Sequence, residues 1–412
     1  RRDIEPGLSE LSCLRCIYRL EDVEESELLF GLSEGDGSEP LVGDPDSVVY
    51  LPFTSGTTGE PKGVLHTDNT LLANARTIAA DWHFSSASRI YTMSPLSHNL
   101  GFGALISAIA VGGELILHDL PKGASLLTRL RDTGATFIFG VPTHAIDLLA
   151  ELRRDGGELP NLAGFRISGA AVPDAVCAEL LDHGITPQSG YGMTEACSHH
   201  YTLPDDPPAR ITGTSGTACC GYEVRVFAQD DPNREAGVNE IGQIGGRGSS
   251  LMLGYFEDAA ATAASFNNAG FFMTGDIGAL DADGYLRITG RKKDVIIRGG
   301  HNIYPARIEA LAMRHGAVER AAAVPVPDER LGERVCITIT LRPDSDLEPN
   351  DLLTHLDAQG LSKYDMPEFF LQVDAMPVTA NGKIMKHALN KWIEQGTVAP
   401  QPVRWTPPDQ AR

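Results

Sequence analysis

The chain has 412 residues, 42% hydrophobic and 22% charged, with 34 Lys and Arg against 55 Asp and Glu and a net charge of -21. These proportions suit a globular protein of two to three domains, at about one per ~150 residues, and exclude disordered, collagen-like and coiled-coil chains. The acidic balance argues against nucleic acid and anionic membranes as partners, because both need a positive field.

Seven cysteines are too few for a disulfide scaffold and point to a reducing, cytoplasmic setting. No apolar run approaches the roughly 18 residues of a membrane-spanning helix, so no stable membrane insertion is expected. Residues 1–46 are acidic, with a loop at 35–40. A strand is predicted at 48–53 and a helix at 68–82, whose Leu71, Leu72, Ala75, Ile78 and Ala79 recur at helical spacing. Next come a strand at 114–117, a helix at 124–131, a strand at 136–139 and a helix at 142–153, with Pro142 suited to its first turn. A strand at 165–168 and a helix at 173–183 follow. This alternation implies an α/β domain with parallel strands.

From 213 to 291 the strands shorten and glycine turns multiply, which predicts a β-rich subdomain. After it come a strand at 295–297, a helix at 305–314, strands at 318–326 and 335–341, and helices at 349–360 and 385–394. The expected fold class is therefore α/β: a large domain over 1–292 and a small α+β domain over 293–412.

The strongest local signal is Thr54-Ser55-Gly56-Thr57-Thr58-Gly59-Glu60-Pro61-Lys62-Gly63. Three glycines allow tight turns that present backbone N–H groups, and hydroxyls with one lysine supply donors for a polyphosphate. The spacing is not that of a Walker A loop, and the segment alone suits a polar turn equally well. Three other features are set aside. Cys13-Leu14-Arg15-Cys16 lacks a second pair for zinc. Gly31-Leu32-Ser33-Glu34-Gly35 lacks the helix a nucleophile elbow needs. His199-His200 is expected on a surface loop.

Further motifs follow in order: Tyr191-Gly192-Met193-Thr194-Glu195, Thr274-Gly275-Asp276, Gly290-Arg291-Lys292-Lys293-Asp294, and Pro377-Val378-Thr379-Ala380-Asn381-Gly382-Lys383. Together with Thr54–Gly63 this series resembles the adenylate-forming superfamily of acyl-CoA synthetases, peptide-synthetase adenylation domains and luciferases, over about residues 40–395. The likeness is greatest to carboxylate–CoA ligases of the cyclohexanecarboxylate type, on 201–210, 281–285, 294–303 and 327–333. Aryl-acid AMP ligases share His98-Asn99 and Arg298-Gly299-Gly300.

The resemblance implies ATP, Mg²⁺ and CoA as cofactors, with a cyclic, aromatic or medium-chain carboxylic acid as substrate. It implies activation of that acid as acyl-AMP with release of pyrophosphate, then transfer to the CoA thiol. The alternative it allows is loading of a carrier-protein pantetheine; a truncated nucleotide-binding relic is the non-enzymatic reading.

Residue by residue, Thr54, Ser55, Gly56, Thr57, Thr58, Gly59 and Lys62 would wrap the phosphates. Glu195 and Thr58 would hold the metal. Gly169, Ala170 and Ala171 would face adenine, followed by Gly190, Tyr191, Gly192, Met193 and Thr194. Asp276 would take the ribose, and Arg291 would make a second polar contact to the ribose or phosphate. Lys383 would act at the carboxylate and α-phosphate, and Lys293 would be the hinge of a mobile small domain. His98 would stand beside the acyl carboxylate, with Asn99, Gly101 and Gly103 in the acyl pocket and Gly299 and Gly300 along the pantetheine path. Only 53 residues precede Thr54, so the resemblance also implies that the N-terminal part of the family's large domain lies outside this chain.

Overall fold

In the computed structural model four sheets carry the fold, and residues 43–54, 61–121, 123–169, 172–378 and 384–405 are described. The central sheet has seven strands in the order Thr217–Ala218, Cys197–Tyr201, Thr186–Met193, Gly164–Ile167, Phe137–Gly140, Arg89–Thr92 and Glu114–Leu117. From Thr186–Met193 onward its pairs are parallel, while Cys197–Tyr201 turns back antiparallel as a hairpin. Parallel strands need helical crossovers, which bury both faces.

One face is covered by helices Leu126–Thr133, Pro142–Asp155 and Asp174–Asp182. There Tyr91, Ile138, Phe165 and Ile167 pack against Leu127, Leu130, Leu148 and Leu149. Pro142 opens its helix at the first turn, and Ser125 caps the one before it through Thr128 N–H. Helices Asp68–Asp81 and Asn99–Val111 cover the other face, where Phe137 and Phe139 meet Ile78, Trp82, Leu100 and Ala104. Each such fully buried side chain contributes about 1.5–3 kcal/mol.

Helix Asn99–Val111 has no counterpart in the sequence reading. Gly101 and Gly103 weaken its helical signal, and its remaining residues are apolar on every side, so no 3.6-residue stripe stands out. His98 starts it: the imidazole Nδ1 accepts from Leu100 N–H at 3.2 Å. The expected strand at 48–53 is two short strands, Val48–Tyr50 and Phe53–Thr54, broken around Pro52 and both paired to Lys62–Thr67.

The β-rich segment forms a four-stranded antiparallel sheet, Tyr222–Phe227, Gly242–Gly248, Phe272–Leu280 and Leu286–Arg291. The change to the next sheet falls at the 3₁₀ turn Lys292–Asp294. Beyond it a six-stranded sheet pairs Val318–Asp328 with Gly332–Leu341 and carries helices Pro305–Ala312, Pro349–Ala358 and Lys386–Glu394. Among the described residues no helix is long and apolar enough to cross a membrane.

Candidate active site

The hairpin of strands Thr186–Met193 and Cys197–Tyr201 is the hub. Its turn, Thr194-Glu195-Ala196, is gripped by its neighbours. His66 Nε2 lies 2.7 Å from Thr194 O. A carbonyl only accepts, so Nε2 carries the proton and Nδ1 accepts from Thr70 Oγ1 at 3.1 Å. Burial lowers the His66 pKa and keeps the ring neutral. Met252 N–H donates to Glu195 O at 2.8 Å, and Ser250 Oγ donates to Ala196 O at 3.1 Å.

Glu195 contacts the short strand Gly254–Tyr255, which pairs with strand Lys62–Thr67. Tyr255 OH donates to Glu195 Oε1 at 3.0 Å. The ring of Tyr255 carries Lys62 Nζ 4.7 Å from its centroid. Lys62 pairs in register with Thr54, whose hydroxyl donates to Lys62 O at 3.4 Å. Thr54, Lys62, Tyr255 and Glu195 thus form one connected edge. Ser55, Gly56, Thr57, Thr58 and Gly59 lie outside the described residues, as do Ala170, Ala171, Lys383, Cys13, Cys16 and Gly31–Gly35.

On the same hub Tyr191 OH donates to Asp276 Oδ2 at 2.8 Å. Arg291 Nε approaches Asp276 Oδ1 at 3.2 Å, across the in-register pair of their strands. Burial, then the neighbouring Asp276 carboxylate, raises the Tyr191 pKa well above normal, so it stays a donor. Thr274 Oγ1 accepts from Asp276 N–H at 3.1 Å. The structure therefore brings Tyr191, Asp276 and Arg291 together.

Gly190 and Gly192 are explained by crowding. A Cβ at Gly190 would sit 2.8 Å from the Arg166 guanidinium, and one at Gly192 would sit 2.1 Å from Cys197 O. Gly169 adopts φ 93, a left-handed conformation suited to glycine.

A crevice of about 370 Å³, its open mouth included, adjoins the hub. Its walls are Leu71, Asn74, Ala75 and Ile78 from one helix and Asn99, Phe102, Gly103 and Ile106 from the other, with Phe139, Cys197 and Ser198 completing them. Asn99 Nδ2 donates to Met193 O at 3.3 Å and ties this crevice to the Thr194–Glu195 turn. Asn74 holds Ser198 through both its amide atoms. Among the described residues no charged side chain lines the crevice. A Cβ at Gly103 meets nothing within 4 Å, whereas one at Gly101 would lie 2.3 Å from Pro95 O. Gly101 is not among the walls of this crevice; it lets the helix lie against the carbonyls of Ser94 and Pro95.

His199 and His200 are likewise not on a surface loop. Both lie on strand Cys197–Tyr201 with no exposed surface. Burial holds the His199 pKa well below normal and His200 down to about 3.

Gly299 and Gly300, at φ 57 and 86, form the two-residue turn between strands Ile296–Arg298 and His301–Ile303. A primed hairpin turn, with positive φ at both central residues, by itself accounts for both glycines. Lys293 sits in the 3₁₀ turn, where burial lowers its pKa. The neighbours of the Lys383 segment are fixed by the Val378–Ile384 bridge and by Met385 N–H on Pro377 O at 2.8 Å.

Among the described residues no three His, Cys, Asp or Glu side chains could hold a metal by themselves. A single carboxylate such as Glu195 fits Mg²⁺, which keeps waters and shares its remaining positions with phosphate oxygens. His66, Tyr255 and Asn74 escaped the sequence reading. His66 follows the motif within the same strand, but Tyr255 is 60 positions from Glu195 and nothing local marks it.

The chain matches the model of the AMP-binding enzyme family over residues 3–256, and that of the AMP-binding enzyme C-terminal domain over 307–383. It is 33% identical over 350 residues to the medium-chain fatty-acid–CoA ligase of Escherichia coli (strain K12), covering 84% of this chain and 62% of that protein. The chain thus spans less than two thirds of that relative's length. ATP-bound MatB from Rhodopseudomonas palustris superposes with a TM-score of 0.77 at 28% identity, over 85% of this chain and 69% of MatB. The o-succinylbenzoate CoA synthetase MenE of Bacillus subtilis, in complex with its acyl-adenylate, gives 0.76 at 28% identity, over 84% and 69%. By sequence, by fold and by the order of its motifs, this chain belongs to the AMP-binding enzyme family.

Proposed function

We propose that the protein is an ATP-dependent acid–CoA ligase. The observation that carries this reading is one hairpin flanked by two clusters, Lys62–Tyr255–Glu195 and Tyr191–Asp276–Arg291, with an uncharged crevice opening beside it. A nucleotide lies along this hairpin, triphosphate toward Lys62 and Glu195 and ribose toward Asp276. The acid lies in the crevice with its carboxylate near His98.

In the first half-reaction a carboxylate oxygen attacks the α-phosphorus and pyrophosphate leaves. Lys62 and residues 54–59 bind the outgoing phosphates. Lys383 would act between the carboxylate and the α-phosphate, where a cation offsets the charge gathered as the two anions meet. Glu195 and Thr58 would hold Mg²⁺, which when bound would supply charge neutralisation on the phosphate oxygens. In the second half-reaction the CoA thiolate attacks the acyl carbon and AMP leaves. Gly299 and Gly300 then border the pantetheine path.

The two half-reactions use two poses of the small domain, 293–412, on the large domain, 1–292, with Lys293 as hinge. The lack of charge in the crevice supports a ring-bearing or medium-chain acid of the cyclohexanecarboxylate type over a dicarboxylate. The five described cysteines are all free, which supports a cytoplasmic location. CoA is the acceptor favoured by the likeness to CoA ligases. Thioester should form with CoA, ATP, Mg²⁺ and such an acid. Thioester only on a carrier-protein pantetheine would move the reading to an acyl-AMP ligase.

A further inference from the structure

One aromatic side chain touches both charged groups at the triphosphate end of the site. Tyr255 lies in the short strand Gly254–Tyr255, pinned in register to Leu65 and Val64 of the strand that begins at Lys62. It is 9% exposed, so its ring has little freedom. Its hydroxyl reaches Glu195 Oε1 at 3.0 Å, and Lys62 Nζ lies over its face at 4.7 Å. The next residue strengthens the anchor, since Phe256 N–H donates to Gly63 O at 2.8 Å. Among the described residues no other side chain contacts these two groups together.

We propose that Tyr255 is a positioning residue of the nucleotide site: its hydroxyl sets the Glu195 carboxylate for the metal, and its ring holds the Lys62 ammonium until a triphosphate takes it. This rests on the ATP–Mg²⁺ reading given above.

The physical argument has two parts. A glutamate carboxylate turns about a broad, nearly two-fold final torsion, so an unpinned one presents its oxygens in many directions. A hydrogen bond to Oε1 fixes the plane and leaves Oε2 and the outer lone pairs for a cation and its waters. A phenol facing a carboxylate donates and the carboxylate accepts, so the direction of this bond is set by its two partners. Lysine is a point charge on a flexible stem and is strongly hydrated. An aromatic face holds it weakly, and a polyphosphate close by displaces it from that face.

The two contacts are separable by substitution. Tyr255→Phe keeps the ring and removes the hydroxyl; Tyr255→Leu removes both. The measurement is calorimetric binding of α,β-methylene-ATP to the full chain, in Mg²⁺ and in EDTA, with no turnover involved. In wild type Mg²⁺ should tighten binding. Tyr255→Phe should cut that Mg²⁺-dependent gain, read as the ratio of affinities in Mg²⁺ and in EDTA, about tenfold. Glu195→Gln should lose the gain too, and adding Tyr255→Phe to it should cause no further loss. Tyr255→Leu should raise affinity in EDTA by about threefold, because Lys62 no longer leaves the ring to bind.

A Mg²⁺ gain in Tyr255→Phe equal to wild type, or additive losses with Glu195→Gln, would overturn the role of the hydroxyl. Unchanged or weaker affinity in EDTA for a folded Tyr255→Leu would overturn the role of the ring. A wild-type chain that binds the analogue with no Mg²⁺ gain would instead overturn the nucleotide–metal reading, and this proposal with it.

Discussion

Two glycines two positions apart in one helix do different work. Gly101 has carbonyl oxygens where its Cβ would go, and Gly103 has open crevice. Gly101→Ala should lower stability by about 1–3 kcal/mol, the ordinary cost of overpacking, and should show as a reduced thermal midpoint. Gly103→Leu should leave the midpoint near wild type and fill the crevice. It should spare short acids such as propionate and disfavour ring-bearing ones roughly 5- to 150-fold in kcat/KM, with ATP affinity unmoved. Equal losses for all acids would take Gly103 out of the pocket wall. The sequence could not separate these two residues. Glycine carries no side chain to signal its surroundings, and what distinguishes them is the chain at Ser94-Pro95 folding back onto one and not the other.

At the scale of elements, the turn Lys292–Asp294 joins the four-stranded sheet to the six-stranded one. If the small domain swings there, fixing a backbone angle should hold one pose. Lys293→Pro locks φ near −65°, so adenylation and thioester formation should fall unequally, by at least tenfold in their ratio. Single-turnover assays of each half-reaction check this, and two near-normal rates would remove the hinge from Lys293.

Elements were legible where their period is local. Helices Asp68–Asp81 and Pro142–Asp155 carry clear apolar stripes and start signals, and they emerge within two residues of their predicted ends. Helix Asn99–Val111 was hidden because it is apolar all round. The strand Lys62–Thr67 was hidden because it begins inside a glycine-rich motif that reads as loop. The site follows the same rule. Its motifs are local and stood out, but the bonds joining them span 60 residues for Tyr255–Glu195 and 85 for Tyr191–Asp276. Only the fold supplies those.

For the whole molecule, several histidines are folded into places that disfavour their charge. His144 ionises at about 4 and His200 at about 3, both chiefly through burial. His66, His118 and His199 are shifted in the same direction, also by burial first. Unfolded, each would take a proton near 6.5. Between that value and the folded one the unfolded chain binds more protons, so stability rises with pH there. It is fully present above about 6.5 and is lost as pH falls toward 4, by about 1.4 kcal/mol per pH unit for each of His144 and His200. Thermal midpoints should therefore drop steeply between pH 6.5 and 4.5, and His200→Gln should make that drop shallower. A flat profile over that range would contradict the burial of these rings.

The central claim is that this chain joins an acid to AMP. ATP–pyrophosphate exchange, run without CoA across a panel of carboxylic acids, tests it most directly because it reads only the first half-reaction. The account predicts exchange that requires Mg²⁺, appears with ring-bearing or medium-chain acids, and falls by orders of magnitude in Lys383→Ala. A folded chain that binds ATP but gives no acid-dependent exchange with any member of the panel would contradict it.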